Sequence, residues 1–278
     1  MSVITRIAPL ALALSAALLS TAVQAHQTWL LPNQTQFSVG REAPVAAFDA
    51  AVSESLFTFE RGLKLDVLRI TGPDGKALEA ENRVSSRHRE SFEVKLPLDG
   101  TYRVSNFSQA VMGSYKQGAE TKRFRSTQAN LAKDVPADAE ITSFVVSTSR
   151  LQTFVTREQP GKLAFVPEGD GLELLPLGPV TDLSHGDTTR FRLLLDGKPL
   201  ANATLRLQRE GGRYRYKLGE EGLTSDDKGE FSVSWTEPGR YLIGASHGER
   251  PAQGQPQGTR DKPLQRASLA ATFEVLPK

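Results

Sequence analysis

His26 stands directly behind Val23-Gln24-Ala25, at the end of an apolar leader. Arg6 precedes the apolar run from Ile7 to Leu19, and Val23 and Ala25 occupy the −3 and −1 positions of a small-residue cleavage site. Residues 1–25 therefore read as a secretory signal peptide. Cleavage after Ala25 makes His26 the first residue of the mature chain, where its α-amine and imidazole Nδ1 close a chelate on one metal ion. An internal histidine offers no such pair. An α-amine titrates near ~7.7–8.0, so a metal displaces its proton close to neutrality. Two nitrogens in a rigid chelate suit Cu(II) or Ni(II), with copper ahead on affinity.

Further imidazoles are His88, His185 and His247. His88 ranks first, because it falls on the strand expected before Phe92, in the same half as His26. Its neighbours Arg87 and Arg89 oppose a cation, but alternate residues of a strand point to opposite faces. His185, in Leu183-Ser184-His185-Gly186-Asp187, and His247, after Tyr241–Ala245, read as loop residues. The candidate ligands are thus His26 and His88, for a divalent transition metal (nickel, cobalt or copper) with no organic cofactor. Hydrolytic machinery is missing from the sequence: it has no G-x-S-x-G elbow, no H-E-x-x-H and no cysteine. The expectation is a non-enzymatic protein. An oxidative copper centre built on the terminal histidine is an alternative that requires a second imidazole beside His26.

The leader run is too short to span a bilayer, and no second apolar segment approaches ~18 residues. The expected destination is the periplasm, without a membrane span. Lys and Arg number 34 against 32 Asp and Glu, so the net charge is +2, or +1 once Arg6 is removed. Such a balance gives no footing for nucleic acid or anionic lipid. The basic pieces Arg83–Arg89 and Lys122–Arg125 read as solvated strand and loop faces. The partners expected are a metal ion and a membrane transporter or outer-membrane receptor complex.

The elements that must carry His26 read as β almost throughout. Phe92-Glu93-Val94-Lys95-Leu96 and Phe231-Ser232-Val233-Ser234-Trp235 alternate apolar with polar residues, and turn formers such as Pro73-Asp74-Gly75, Asp196-Gly197 and Pro238-Gly239 separate the strands. Ser91–Val104 aligns without gaps to Glu230–Ile243, matching Phe, Val, Gly and Tyr, and Asp74-Gly75-Lys76 upstream of the first resembles Asp196-Gly197-Lys198 upstream of the second. The prediction is an all-β chain of two tandem antiparallel β-sandwiches, Ig-like or transthyretin-like, over 26–160 and 161–278. The residues Val166–Gly171 form the join. Trp29 is expected to bury its ring and anchor the first strand. Asn106–Glu140 reads as a polar segment, either a functional loop or partly disordered, Asp226–Gly229 as a hairpin turn, Gly211–Tyr216 as an edge-strand face with half-packed tyrosines, and Gly248–Arg266 as a long hairpin connection.

Leu195–Leu205, Thr224–Phe231 and Pro238-Gly239-Arg240-Tyr241 together resemble a transthyretin-like or carboxypeptidase-regulatory-type sandwich. With the start at Ala25, His26, Trp29, Leu30 and Pro32 and the stretch Gly171–Pro176, residues 26–278 resemble a periplasmic NikM-like family. That resemblance implies an association with nickel and cobalt uptake. The alternative function is a metal-free interaction module, in which the sandwiches dock an envelope complex.

Overall fold

Alternation along three central strands decides the architecture. In the computed structural model, which describes residues 26–161, 165–216, 219–248 and 257–278, neighbouring side chains of these strands enter two different cores. The signal peptide assigned to residues 1–25 lies outside the described residues.

The first half contributes β1 (Gln27–Pro32), β2 (Gln36–Phe37), β3 (Val45–Ser53), β4 (Arg61–Gly62), β5 (Val67–Thr71), β6 (Ala77–Leu78), β7 (Glu81–Ser85) and β8 (Glu90–Lys95). Then follow β9 (Gly100–Gln117), β10 (Glu120–Ser126), the short helix α1 (Leu131–Asp134) and β11 (Glu140–Arg157). The second half adds β12 (Leu172–Pro176), β13 (Leu183–Ser184), β14 (Thr188–Leu195), β15 (Lys198–Pro199) and β16 (Thr204–Arg209). It ends with β17 (Glu220–Thr224), β18 (Glu230–Ser234), β19 (Gly239–Gly248) and β20 (Leu264–Leu276). With 57% strand and 3% helix, the fold is all-β.

One sheet runs β1-β3-β8-β7 with β4 beside β3, and another runs β12-β14-β15 with β18 beside β14. Between them lies an 11-stranded sheet ordered β17-β16-β19-β20-β11-β9-β5-β6, with β10, β13 and β2 at its margins. Leu151 and Val155 of β11, Leu242 of β19 and Ala270 of β20 pack with Trp29, Phe48 and Phe92 of the first sheet. Phe154, Tyr241, Ile243, Ala271 and Phe273, on the opposite faces of the same strands, pack with Phe191 and Phe231 of the last sheet and with Trp235, directly after β18. The period of two along a strand therefore makes the central sheet common to both sandwiches. The seam is parallel: β11 pairs with β20 from Val145↔Leu264 to Thr153↔Thr272.

The repeat in the sequence is a corner between sheets. β8 lies in the first sheet and β9 in the central one; β18 and β19 make the same passage from the last sheet. Gly100 and Gly239 open the second strand of each unit at φ +126° and +139°, a region that side chains avoid. Two residues on, the Tyr102 hydroxyl donates to the Leu98 carbonyl at 2.7 Å and accepts from the Leu98 N–H at 2.8 Å. Tyr241 donates to Glu237 O at 2.7 Å. Both are tyrosine corners of the kind that pin sandwich crossovers. The upstream Asp-Gly-Lys hairpins diverge: β5–β6 lies in the central sheet, whereas β14–β15 lies in the last one.

The Asn106–Glu140 reading as a polar loop is corrected. Most of it is strand: β9 and β11 extend together past the sandwich, and β10 folds back on β9 from Glu120↔Gln117 to Ser126↔Val111. Val111, Tyr115, Leu131, Val135 and Phe144 give this extension a small core. β19 and β20 pair out to Gly248↔Arg266, so their hairpin arms reach both ends of the long final connection, of which residues 249–256 lie outside the described residues.

A buried ionic joint pins the chain between the halves. Glu168 accepts from Arg69 at 2.8 Å and from Ser105 Oγ at 2.6 Å, and it also pairs with Arg150. Arg103 pairs with Glu173 at 2.7 Å, and Arg150 donates to the carbonyls of Leu172 and Asp170 at 3.0 and 2.7 Å. Burial pushes the Glu168 carboxyl up, but Arg150, Ser105, Arg69 and Arg103 outweigh it and hold the group below the ordinary carboxylate value. At the deeper Arg103–Glu173 pair burial prevails, moving Arg103 down and Glu173 up.

Candidate functional site

The pairing of β1 with β3 puts Gln27 opposite Ser53, which sets His26 beside Glu54. Trp29, fully buried, fixes this strand: its indole N–H donates to Ser53 Oγ at 3.0 Å, and its ring meets Phe57 and Phe59 edge-on. His26 is exposed, and its Nε2 lies 3.8 Å from Glu54 Oε1. Glu60 accepts from the Glu54 N–H at 2.9 Å and from Thr58 Oγ1 at 2.9 Å. Chiefly the Glu54 N–H holds the Glu60 carboxyl below its ordinary range, and the nearby His26 lowers it further.

His88 sits in the turn between β7 and β8, not on a strand, and is exposed. Its Nδ1 donates to the Glu60 carbonyl at 3.0 Å, which leaves Nε2 as the nitrogen open to a ligand. The two candidate ligands thus flank Glu60 but line different recesses. His88 shares one of about 360 Å³ with Phe59, Ser86 and Arg89, while His26 shares a larger cleft of about 750 Å³. Among the described residues no three His, Asp or Glu side chains converge as a metal cluster.

His185 is an exposed turn residue whose backbone N–H donates to Leu276 O at 3.1 Å. His247 is on strand β19 opposite Ala267, so its reading as a loop residue is corrected. Asp226 is a turn residue as read, its Oδ1 accepting from the N–H groups of Lys228 and Glu230, each at 2.8 Å. Gly211–Tyr216 is no edge strand: Gly212–Tyr214 form a 3-10 turn, and Tyr214 and Tyr216 are fully solvated.

The cleft beside His26 opens where the first sheet stops covering the central one. Thr28, Val52, Arg61, Leu63, Lys64 and Asp66 form its wall on the first-sheet side. Ser108, Ala110, Ser147 and Ser149 of the β9–β11 hairpin form the floor, and Arg125–Thr127, Asn130 and Asp134 the far wall. Reading the sequence missed these residues: Ser108, Ala110, Arg125–Thr127, Asn130 and Asp134 fall in the segment taken for a loop, and Ser147 and Ser149 lie just beyond it. The signal lay in the alternating Ser147-Thr148-Ser149 and Ser108-Gln109-Ala110, which mimics polar linker.

The chain is similar to several solved structures. Escherichia coli alpha-2-macroglobulin activated by porcine elastase shares 16% identity, covering 91% of this chain and 20% of that one, with a TM-score of 0.21. A DUF4785 family protein from Legionella pneumophila shares 11% identity over 78% of this chain and 50% of that one, TM-score 0.24. The D0–D1 domain of intimin shares 12% identity over 88% of this chain and 97% of that one, TM-score 0.21. The chain spans one fifth and one half of the first two. No curated protein matches it. A family model, described as a domain of unknown function, DUF4198, matches residues 23–249. The chain belongs to that DUF4198 family.

Proposed function

We propose that this protein is a non-enzymatic periplasmic accessory that captures a divalent transition metal through the amine and imidazole of a mature N-terminal His26. It hands the metal to a transporter or receptor in the envelope. The observation that carries the reading is the setting of the His26 ring. A terminal chelate uses the α-amine and Nδ1, and the nitrogen it leaves over, Nε2, is the one that faces the Glu54 carboxylate. A carboxylate behind a ligating imidazole orients the ring and raises its basicity. Glu60, ionised and close by, adds negative charge where a cation would sit. Two protein nitrogens leave coordination positions for exchangeable ligands, which suits capture and release. His88 is the second candidate ligand through its open Nε2.

The NikM-like association with nickel or cobalt uptake, and a transthyretin-like second half, belong to the same proposal. Isothermal titration of the exported protein with Cu(II), Ni(II) and Co(II) tests it. The expected result is binding that His26→Ala abolishes and Glu54→Gln weakens about 10-fold, the usual effect of removing a carboxylate behind a ligating histidine. Affinity no tighter than that of an unstructured peptide would overturn it and leave the metal-free docking module as the better reading.

A further inference from the structure

The face of the β9–β11 hairpin that turns toward the first sheet changes character along its length. Under that sheet it carries Tyr102, Val104, Leu151 and Val155, all in the first core. Past the sheet's end the same face carries Ser108, Ala110, Ser147 and Ser149, with Ser149 opposite Ser108 and Ser147 opposite Ala110. The three serines are half-buried, and their hydroxyls make no hydrogen bond among the described residues. Solvent still reaches these hydroxyls, so their bonding capacity is open to water or to a ligand.

The charges around this floor are uneven. Asp66 is paired with Lys64 at 3.8 Å, and Asp134 accepts from Ser126 Oγ at 2.5 Å. Arg61, from β4 on one wall, has no ion pair among the described residues. Arg125, from β10 on the other wall, reaches only the Met112 sulfur, at 3.8 Å. Register places Arg125 opposite Met112, hence on the same face as Ala110 and Ser108. The carboxylates of the cleft are therefore engaged and two guanidiniums, facing it from opposite sides, are not.

We propose that this cleft binds a small organic polycarboxylate, with one carboxylate on Arg61, another on Arg125, and the remaining oxygens on the serine floor. The planar guanidinium fork matches a carboxylate bidentately, and two forks on opposed walls select a ligand that carries at least two. A cleft of about 750 Å³ has room for such a molecule. This inference goes beyond the metal reading and stands on different residues.

Isothermal titration with citrate, acetate and inorganic phosphate tests it, on exported protein freed of metal by chelator and dialysis. Citrate binds saturably, acetate does not, and added salt weakens the binding. Arg61→Gln or Arg125→Gln lowers citrate affinity roughly 10-fold or more, as expected for loss of a charge-assisted hydrogen bond. Lys122→Gln, on the opposite face of β10 from Arg125, leaves it unchanged. All three residues are exposed, and circular dichroism verifies that the fold is kept. Absence of citrate binding, phosphate bound as tightly as citrate, or a double arginine variant that binds like the parent would each overturn the proposal. Copper titrated into the same variants separates the two readings: metal affinity that survives the arginine substitutions, with citrate affinity lost, assigns the anion to the arginines and leaves His26 its own test.

Discussion

Glu168 receives three arginines in a setting with little water, and its charge is what keeps Arg150, itself fully buried, from standing unpaired. Replacing it by Gln keeps the shape and removes the charge, which is predicted to destabilise the fold by about 3–5 kcal/mol in urea unfolding. The same group sets an acid limit. Because its carboxyl is held below the ordinary 4.5, the stability it contributes is complete above that value and is lost as pH falls through the depressed one. Glu173, raised by burial, works in the opposite sense: its contribution is present below the ordinary value and fades as pH rises. Thermal melts from pH 6 down to about pH 3 should therefore fall less steeply for Glu168→Gln than for the parent. Parallel curves would contradict this role. The two corner tyrosines give a finer comparison. Tyr102 makes two hydrogen bonds to Leu98, whereas Tyr241 makes one to Glu237. Tyr102→Phe leaves a backbone N–H and a carbonyl without their partner, so it should lose about twice what Tyr241→Phe loses, each bond being worth roughly 0.5–1.5 kcal/mol. Equal losses would count against equivalent corners of unequal bonding.

Among the elements, the β9–β10–β11 extension decides whether the cleft has a floor and a far wall. Its strands pack most tightly at Gly113, where an added Cβ would lie 2.1 Å from the Ser143 carbonyl and 2.8 Å from the Phe124 ring. Gly113→Ala is predicted to force the hairpin apart, at about 1–3 kcal/mol. Hydrogen exchange should quicken at Val111–Ser126 while the Phe48–Phe92 core stays protected. Uniform protection would show that the extension tolerates the methyl. This element was poorly legible in the sequence. Its inner half alternates clearly, with Tyr102, Val104 and Leu151 in the core, but its outer half projects beyond the sandwich and carries serine, glutamine and lysine as a linker would. By contrast the corners could be read directly, because a glycine at positive φ and a tyrosine two residues later are local demands of the chain. His26 enters the proposal from the sequence, since a cleavage pattern points at it. His88 was picked out as well, but not its setting: it lies in a turn rather than on a strand, and its ring is set by the backbone carbonyl of Glu60, a contact between residues far apart in sequence.

At the scale of the whole molecule, the parallel seam between β11 and β20 joins two sandwiches through one sheet. The composition and alternation reveal the sandwiches, but nothing local announces that strands more than a hundred residues apart lie side by side. A shared sheet predicts shared unfolding. Trp29 sits in the first core and Trp235 in the second, and they are the two tryptophans of the chain. In single-tryptophan variants, Trp29→Phe and Trp235→Phe, fluorescence and circular dichroism midpoints in urea should coincide within each protein. Two separated transitions would mean that the seam does not couple the halves.

The central claim is that metal binding depends on His26 being the first residue. The direct measurement is a paired Cu(II) titration of protein that starts at His26 and of protein extended by a single methionine before His26, with mass spectrometry fixing each start and circular dichroism verifying equal folding. The extension moves the amine to another residue and leaves an isolated imidazole, so affinity should fall by more than the roughly 10–100-fold that follows from loss of a residue behind the ligand. Equal affinities would contradict the claim and make His26 a bystander at the rim of the cleft.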